Sequence, residues 1–528
     1  MAALISSSND TSNVSASKES TYENAIKLIR LLDRDIFYNP TTKQLSESSA
    51  TDSFCAPSIM PDTLGSGHFR QSHHVRYAYM AGAMANGIAS ENLVISLVSS
   101  GMLASFGAAG LSLPRIEQAI DRLQQHLPND SFAINLIHSP NEQHHERDTV
   151  SLFLRKNIRL IEASAYLDIT PHLVSYRLKG ISRNQLGQVV PRNRVIGKVS
   201  RTEVATRFMS PAPERMVNEL LQQGEISPTE AELAKYLPIA DDVTVEADSG
   251  GHTDNRPALT LFPSMLTLRD QLQVKYGYTI PIRVGLGGGI STPLSAAAAF
   301  AMGADFLVTG SVNQACVESG SSDLVRGMLA DATQADVIMA PAADMFEMGV
   351  KVQVLKRGTM FPMRAQKLYE LYKSYPEWQA IPSAERVQLE KTVFRKTFEE
   401  VWADTKNFFA TRDPQQITKA EQNPKHLMAL VFRWYLGQSS RWANSGDADR
   451  KIDYQIWCGP AMGAFNEWVR GTELQDFQNR KAAIVARNLL YGAALEQRKA
   501  HLRALGFPTD QIIDRGPWPD DLINQFFS

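Results

Sequence analysis

Two glycine-rich turns stand one strand–helix unit apart in "RVGLGGGISTPLSAAAAFAMGADFLVTGSVNQ", residues 283–314. Gly287, Gly288 and Gly289 follow one apolar run; Thr309, Gly310 and Ser311 follow the next. Backbone this bare lets N–H groups close around an anion such as phosphate. A dinucleotide fingerprint needs G-x-G-x-x-G, and Ile290 stands where its third glycine belongs. Asp305, the acid further on, precedes the next strand instead of ending it. No G-x-x-x-x-G-K-[ST] occurs, which excludes a P-loop. What remains is a phosphate cup at the C-terminal ends of the last two strands of a barrel, with plain tight turns as the alternative. Ser291-Thr292-Pro293 supplies a cap and a first-turn proline for the helix between them.

Three other positions carry chemistry. In "DDVTVEADSGGHTDNRP", a strand ends at Asp248 and a Gly-Gly turn presents His252. A histidine at a barrel's C-terminal rim can donate a proton near neutral pH; a capping histidine held by Asp248 or Asp254 is the alternative. Lys198 interrupts the apolar strand "RVIGKVS" and needs a polar partner, either an anionic cofactor edge or an ion pair with Glu246. Asn135 in "AINLIH" is a similar polar insertion. His138, His144 and His145 lack a clean tetrahedral set and read as a solvated loop. Cys316, just inside the helix after the second turn, is either a tuned thiol or a small buried hydrophobe.

The elements that must position these residues follow from periodicity. Short apolar runs recur at 76–82, 102–108, 132–138, 158–164, 194–200, 242–248, 280–286 and 305–311, with helical patterns at 90–100, 114–127, 262–276 and 292–302 between them. Eight strands alternating with helices predict an α/β fold, a (β/α)8 TIM barrel. The stretch 165–192 is longer than a simple connection and reads as an insertion. All seven tryptophans lie at or after Trp378, and the chain beyond Gly358 is patterned as helix nearly throughout. The expected organisation is a disordered leader at 1–20, an N-terminal segment at 21–69, the barrel at 70–357 and a largely helical C-terminal domain at 358–528.

The chain has 528 residues and a formal net charge of −2, which gives no electrostatic case for nucleic acid or an anionic membrane as the main partner. No apolar run is long enough to span a bilayer, and the serine-rich N-terminus lacks signal-peptide character. Three scattered cysteines match no metal or disulfide spacing and fit a reducing, cytoplasmic compartment.

Several stretches together resemble the PfaD family, the trans-acting enoyl reductases of polyunsaturated fatty acid synthases and trans-acyltransferase polyketide synthases. That family lies within the nitronate monooxygenase and FabK-like group of FMN barrels. Among these stretches are "SFGAAGLS", "NRVIGKVSR", "ADDVTVEADSGGHTDNRP", "DMFEMGVKVQVLKRGTMFPMRA" and "YQIWCGPAMGAFN". The resemblance implies an FMN-binding barrel whose phosphate cup is Gly287, Gly288, Gly289, Thr309, Gly310 and Ser311. The first barrel loop, Ala81, Gly82, Ala83 and Met84 to Ala85, would lie against the flavin, and Asn135 and Lys198 would approach its pyrimidine side. His252 matches the histidine of the relatives' "GGH" motif, so His252 and Lys198 are the expected catalytic pair. Also implied are NADPH or NADH as reductant, an enoyl substrate on an acyl carrier protein, and a synthase complex as partner, with homodimerisation a further possibility. A nitronate monooxygenase and a non-catalytic flavin-fold protein of a synthase complex are the competing readings.

Overall fold

The computed structural model describes residues 23–129, 131–138 and 143–527. The expected leader at 1–20 lies outside the described residues. All eight expected strands form: β1 (Tyr79–Ala81), β2 (Leu103–Phe106), β3 (Ala133–Ile137), β4 (Leu160–Ser164), β5 (Arg194–Val199), β6 (Asp242–Glu246), β7 (Arg283–Gly287) and β8 (Leu307–Thr309). They pair in parallel and close into a barrel, with β8 against β1. Strands enclosed on both faces read as unbroken apolar runs, which is why they stood out in the sequence. Helices α1 (Glu91–Val98) and α2 (Pro293–Ala301) belong to the outer ring. Thr292 opens α2 with a capping box to Ser295, and Pro293 follows in its first turn.

Residues 165–192 hold a helix, Pro171–Leu178, and a two-stranded hairpin of Ser182–Arg183 with Val189–Val190. In the N-terminal segment, whose structure the sequence left open, Ile36–Asn39 is the middle strand of a three-stranded antiparallel sheet with Gln44–Ser46 and Phe54–Ala56.

Beyond β8 the chain builds a second core. Its apolar residues run from Ala340 to Leu436 and include Trp378, Phe394 and Phe432, between helices that include α3 (Phe398–Arg412) and α4 (Pro424–Ser445). The last long helix, α5 (Ala482–Ala504), returns to the barrel and packs against α2 and α1. It therefore fills the ring position between the helix after β7 and the helix after β1, although some 170 residues separate it from β8. The buried Arg498 of α5 donates to the carbonyls of Leu31, Arg34 and Pro57 at 3.0, 2.9 and 2.9 Å, tying down the N-terminal segment. The expected helical domain at 358–528 is thus split between two cores, with residues from Tyr454 to Phe526 packed in the barrel's own. Among the described residues no helix is long and apolar enough to cross a membrane.

At the N-terminal end of the barrel, Asp242 accepts from Arg283 Nη2 at 2.8 Å and lies 2.8 Å from His73 Nε2, all three buried. Burial pushes the Asp242 carboxyl up, but Arg283 and His73 outweigh it and hold it well below the carboxylate range. A depressed carboxyl stabilises the fold above its unfolded pKa and loses that contribution as pH falls through the folded one. Asp242→Ala leaves the guanidinium uncompensated inside the barrel and is expected to cost about 3–5 kcal/mol, read as a large fall in the thermal or urea midpoint. An unchanged midpoint would refute this role.

Candidate active site

At the C-terminal end of the barrel lies a cavity of about 940 Å³, roofed by α3 and α4. Gly82, Ala83, Met84, Asn135, Lys198, His252, Gly287, Gly288, Gly289, Thr309, Gly310 and Ser311 all line it. Ala81 does not: it is the last residue of β1, fully buried and paired in register with Thr309.

The glycine turns differ in what their bareness serves. Gly288 adopts φ +84°, and a Cβ there would sit 2.7 Å from the Ala247 carbonyl carbon, so this residue lets the β7 turn pass the β6 loop. Around a Cβ on Gly289 or Gly310 nothing lies within 4 Å, so these two leave open space between the turns. Thr309 turns its hydroxyl inward, to Tyr79 Oη at 2.6 Å and Asn313 Nδ2 at 2.8 Å, and its carbonyl accepts from the Gly82 N–H at 3.0 Å, which ties the second turn to the first barrel loop. The Ser311 hydroxyl accepts from the Gly459 N–H at 3.1 Å.

Lys198 forms the ion pair with Glu246, Nζ to Oε1 at 3.2 Å, while still lining the cavity. Burial pulls its pKa down, but Glu246 and Glu162 more than reverse that, and the ammonium is held above the ordinary lysine value. Glu162, on β4, is fully buried in the barrel. Its Oε2 accepts from the Ala83 N–H at 2.7 Å and its Oε1 has no partner. Burial raises its pKa despite the nearby Lys198. The amide nitrogen of Asn135 donates to the Glu162 carbonyl at 3.0 Å and to Ser164 Oγ at 2.8 Å, so Asn135 braces β4 from within. Glu162 escaped the sequence reading, although a charge inside the apolar run "IRLIEAS" is the same signal that exposed Lys198.

His252 is held by neither of the aspartates the sequence offered. Asp254 accepts from Ser200 and Arg201, and Asp248 accepts from Asn255 and Gln353. The partner is Asp344, 92 residues along, with Oδ1 3.2 Å from His252 Nε2. Burial lowers the histidine's pKa, but Asp344 outweighs it and keeps the ring protonated above its ordinary value. The backbone is fixed as well: Gly251–His252 pairs antiparallel with Lys351–Leu355, His252 opposite Val352, and Gln353 donates to Asp248 and to the Ser249 carbonyl. The Gly-Gly turn serves a backbone crossing: a Cβ on Gly250 would lie 2.9 Å from the Cys458 backbone nitrogen, and one on Gly459 would lie 2.8 Å from the Gly250 nitrogen. Two glycines let the chain at 457–459 cross the histidine loop.

His144 and His145 fall on the first turn of a helix, Gln143–Arg155, and not in a loop; residues 139–142 lie outside the described residues. His138 pairs with Glu146 at 3.1 Å, and no metal-holding cluster occurs among the described residues. Cys316 is buried, and burial drives its thiol far above the ordinary value, which leaves it a small hydrophobe.

Residues 375–454, which include α3 and α4, match the family model of the [acyl-carrier-protein] S-malonyltransferase inserted helical domain. The chain is 48% identical over 475 residues to a polyunsaturated fatty acid synthase protein of Thraustochytrium sp., covering 88% of this chain and 32% of that protein. It is 47% identical over 457 residues to polyketide biosynthesis protein PksE of Bacillus subtilis, covering 86% of this chain and 59% of PksE. The chain therefore spans roughly a third to three-fifths of these two relatives. Among solved structures, the enoyl reductase domain of MlnA, from the macrolactin biosynthesis cluster of Bacillus amyloliquefaciens, superposes with a TM-score of 0.80. It is 38% identical, with 84% of this chain and 99% of that one covered.

Proposed function

Since the chain belongs to the PfaD-type family of enoyl reductases, we propose that it is an FMN-dependent, trans-acting enoyl reductase. In this reading it reduces the α,β double bond of enoyl thioesters carried on an acyl carrier protein, in polyketide or polyunsaturated fatty acid biosynthesis. The single observation that carries the reading is the convergence of Lys198, His252 and both glycine turns on one roofed cavity. The match of residues 375–454 to a helical insert named for an acyl-carrier-protein transferase supports a carrier-borne substrate.

The residues present fit FMN. Gly289 and Gly310 line the cavity and a Cβ on either would enter open space, as a turn that admits a phosphate to its backbone requires. Lys198 supplies a cation at the barrel floor, and Glu162 Oε1 is a buried polar atom with no partner in the protein. Bound there, FMN would supply transfer of a hydride from NAD(P)H to the β-carbon of the enoyl group. The chain's own residues do the rest. With His252 Nε2 donated to Asp344, Nδ1 carries the second proton of the imidazolium, which balances the hydride by passing to the α-carbon. Lys198, paired with Glu246 but holding three donors, offers positive charge to a developing negative one.

The purified protein is expected to show flavin absorbance and to reduce a crotonyl thioester on carrier protein with NAD(P)H under anaerobic conditions. Oxygen-dependent turnover of a nitronate with no enoyl reduction would overturn the proposal in favour of a monooxygenase.

A further inference from the structure

Three ionisable groups meet at the cavity floor, and the reaction above uses one of them. Lys198 on β5 faces two carboxylates, Glu246 on β6 and Glu162 on β4. One ammonium cannot neutralise both, and a buried carboxylate without a counter-charge is costly. Glu246 is the settled member: its Oε1 lies 3.2 Å from Lys198 Nζ and accepts from the Ser249 hydroxyl at 2.9 Å. Glu162 is the member left over. It is fully buried, its Oε2 accepts from the Ala83 N–H, and its Oε1 has no hydrogen-bond partner among the described residues. That oxygen faces the first barrel loop, 3.6 Å from where a Cβ on Gly82 would stand, and Glu162 and Gly82 both line the cavity. The remaining groups beside it are uncharged: the Ser105 hydroxyl from β2 and the Asn135 amide from β3. His252, at the rim, feels Lys198 and Glu246 as well.

We propose that Glu162 is the proton-accepting acid of the cavity floor, taking a proton on Oε1 when the bound flavin gains two electrons. The proposal rests on the FMN part of the reading above and extends it to charge balance. Before reduction, the floor holds one cation against two carboxylates. A hydride from NAD(P)H adds one negative charge to that enclosed space. A nearby negative charge favours the neutral form of an acid, and burial already tilts Glu162 that way. The proton comes from water in the cavity, turns the carboxylate into a carboxyl, and leaves the net charge of the floor unchanged. Oε2 remains an acceptor for the Ala83 N–H in both forms. When the hydride passes to the β-carbon, Oε1 releases its proton to water, so this is not the proton that His252 gives to the α-carbon.

The test is the pH dependence of the midpoint potential of the flavin-loaded protein, which needs no enoyl substrate. One extra proton per two electrons changes the reduction equilibrium a further tenfold per pH unit, equivalent to about 30 mV. Over the neutral range the wild-type profile is expected to be steeper than that of Glu162→Gln by up to that amount. Glutamine keeps an acceptor for the Ala83 N–H and cannot take the proton. Glu162→Asp, which keeps a carboxyl, should restore the steeper slope. A merely structural role would move stability or flavin content and leave the slopes parallel. Infrared difference spectra supply a second readout. The wild-type protein should gain a protonated-carboxyl band on reduction, shifted in Glu162→Asp and absent in Glu162→Gln. Parallel slopes, or a wild-type protein that gains no such band, overturns the proposal, and the second holds even if Glu162→Gln fails to keep its flavin. A wild-type protein that binds no FMN overturns the cofactor reading and this proposal with it. One that shows both signatures yet reduces no crotonyl thioester overturns the enoyl reductase reading alone.

Discussion

His252→Ala is expected to lower kcat by about 10²–10⁴-fold while the protein keeps its flavin, the range for losing a positioned general acid. The glycine turns and Lys198 are untouched by this change, so cofactor content should not follow activity. The second variant to make is Asp344→Asn. Asp344 is the charge that lifts the histidine's pKa against the burial that lowers it. An acid with a raised pKa stays protonated to higher pH, so the wild-type rate should hold past the ordinary histidine range and fall only as His252 deprotonates. Asp344→Asn removes the lift, and the alkaline limb of the kcat profile should move toward lower pH. Stability carries the same sign: the pair contributes below the unfolded histidine pKa and stops contributing as pH rises through the folded one. A His252→Ala enzyme with wild-type turnover, or an alkaline limb that Asp344→Asn leaves in place, would remove the histidine from the reaction.

The dependence of His252 on Asp344 shows where sequence reading stops. The eight barrel strands were legible because each is a short apolar run between amphipathic helices, a pattern set by local burial. Lys198 and Asn135 were legible because polar residues interrupt two of those runs, and Glu162 was legible in principle by the same rule. Asp344 was not, since its place depends on the pairing of Gly251–His252 with Lys351–Leu355 across 100 residues of chain. Nearer aspartates offered a simpler partner, but the fold commits Asp254 to Arg201 and Asp248 to Gln353. The roof was hidden for a similar reason. Helical spacing shows that α3 and α4 have an apolar face, and only the packed structure shows that Phe408 and Arg441 face the barrel mouth. Likewise α5, continuous in pattern with the helices before it, leaves their core and completes the barrel ring.

Gly310→Asp is expected to strip the protein of flavin while leaving it folded, which makes it the sharpest test of the phosphate cradle. Nothing lies within 4 Å of a Cβ at Gly310, so the side chain meets no steric barrier. The residue precedes the four-residue helix Ser311–Gln314, but its backbone at φ −128°, ψ −78° is not the extended one that a capping aspartate uses, so the fold of the variant is checked directly by its melting curve. The carboxylate has two places to go, and both oppose a phosphate. If it turns back toward the helix, it takes the N–H groups the phosphate needs. If it points into the cradle, it sets two negative charges about 4 Å apart, worth about 4 kcal/mol at an effective dielectric near 20. That corresponds to roughly a thousandfold loss of affinity. The measurement is the flavin-to-protein ratio after gel filtration, paired with a melting curve of the apoprotein. Gly288→Ala is a less discriminating change, because its Cβ would strike the Ala247 backbone and disturb the histidine loop together with the cradle. A Gly310→Asp protein that retains a full complement of flavin would move the phosphate site away from these two turns.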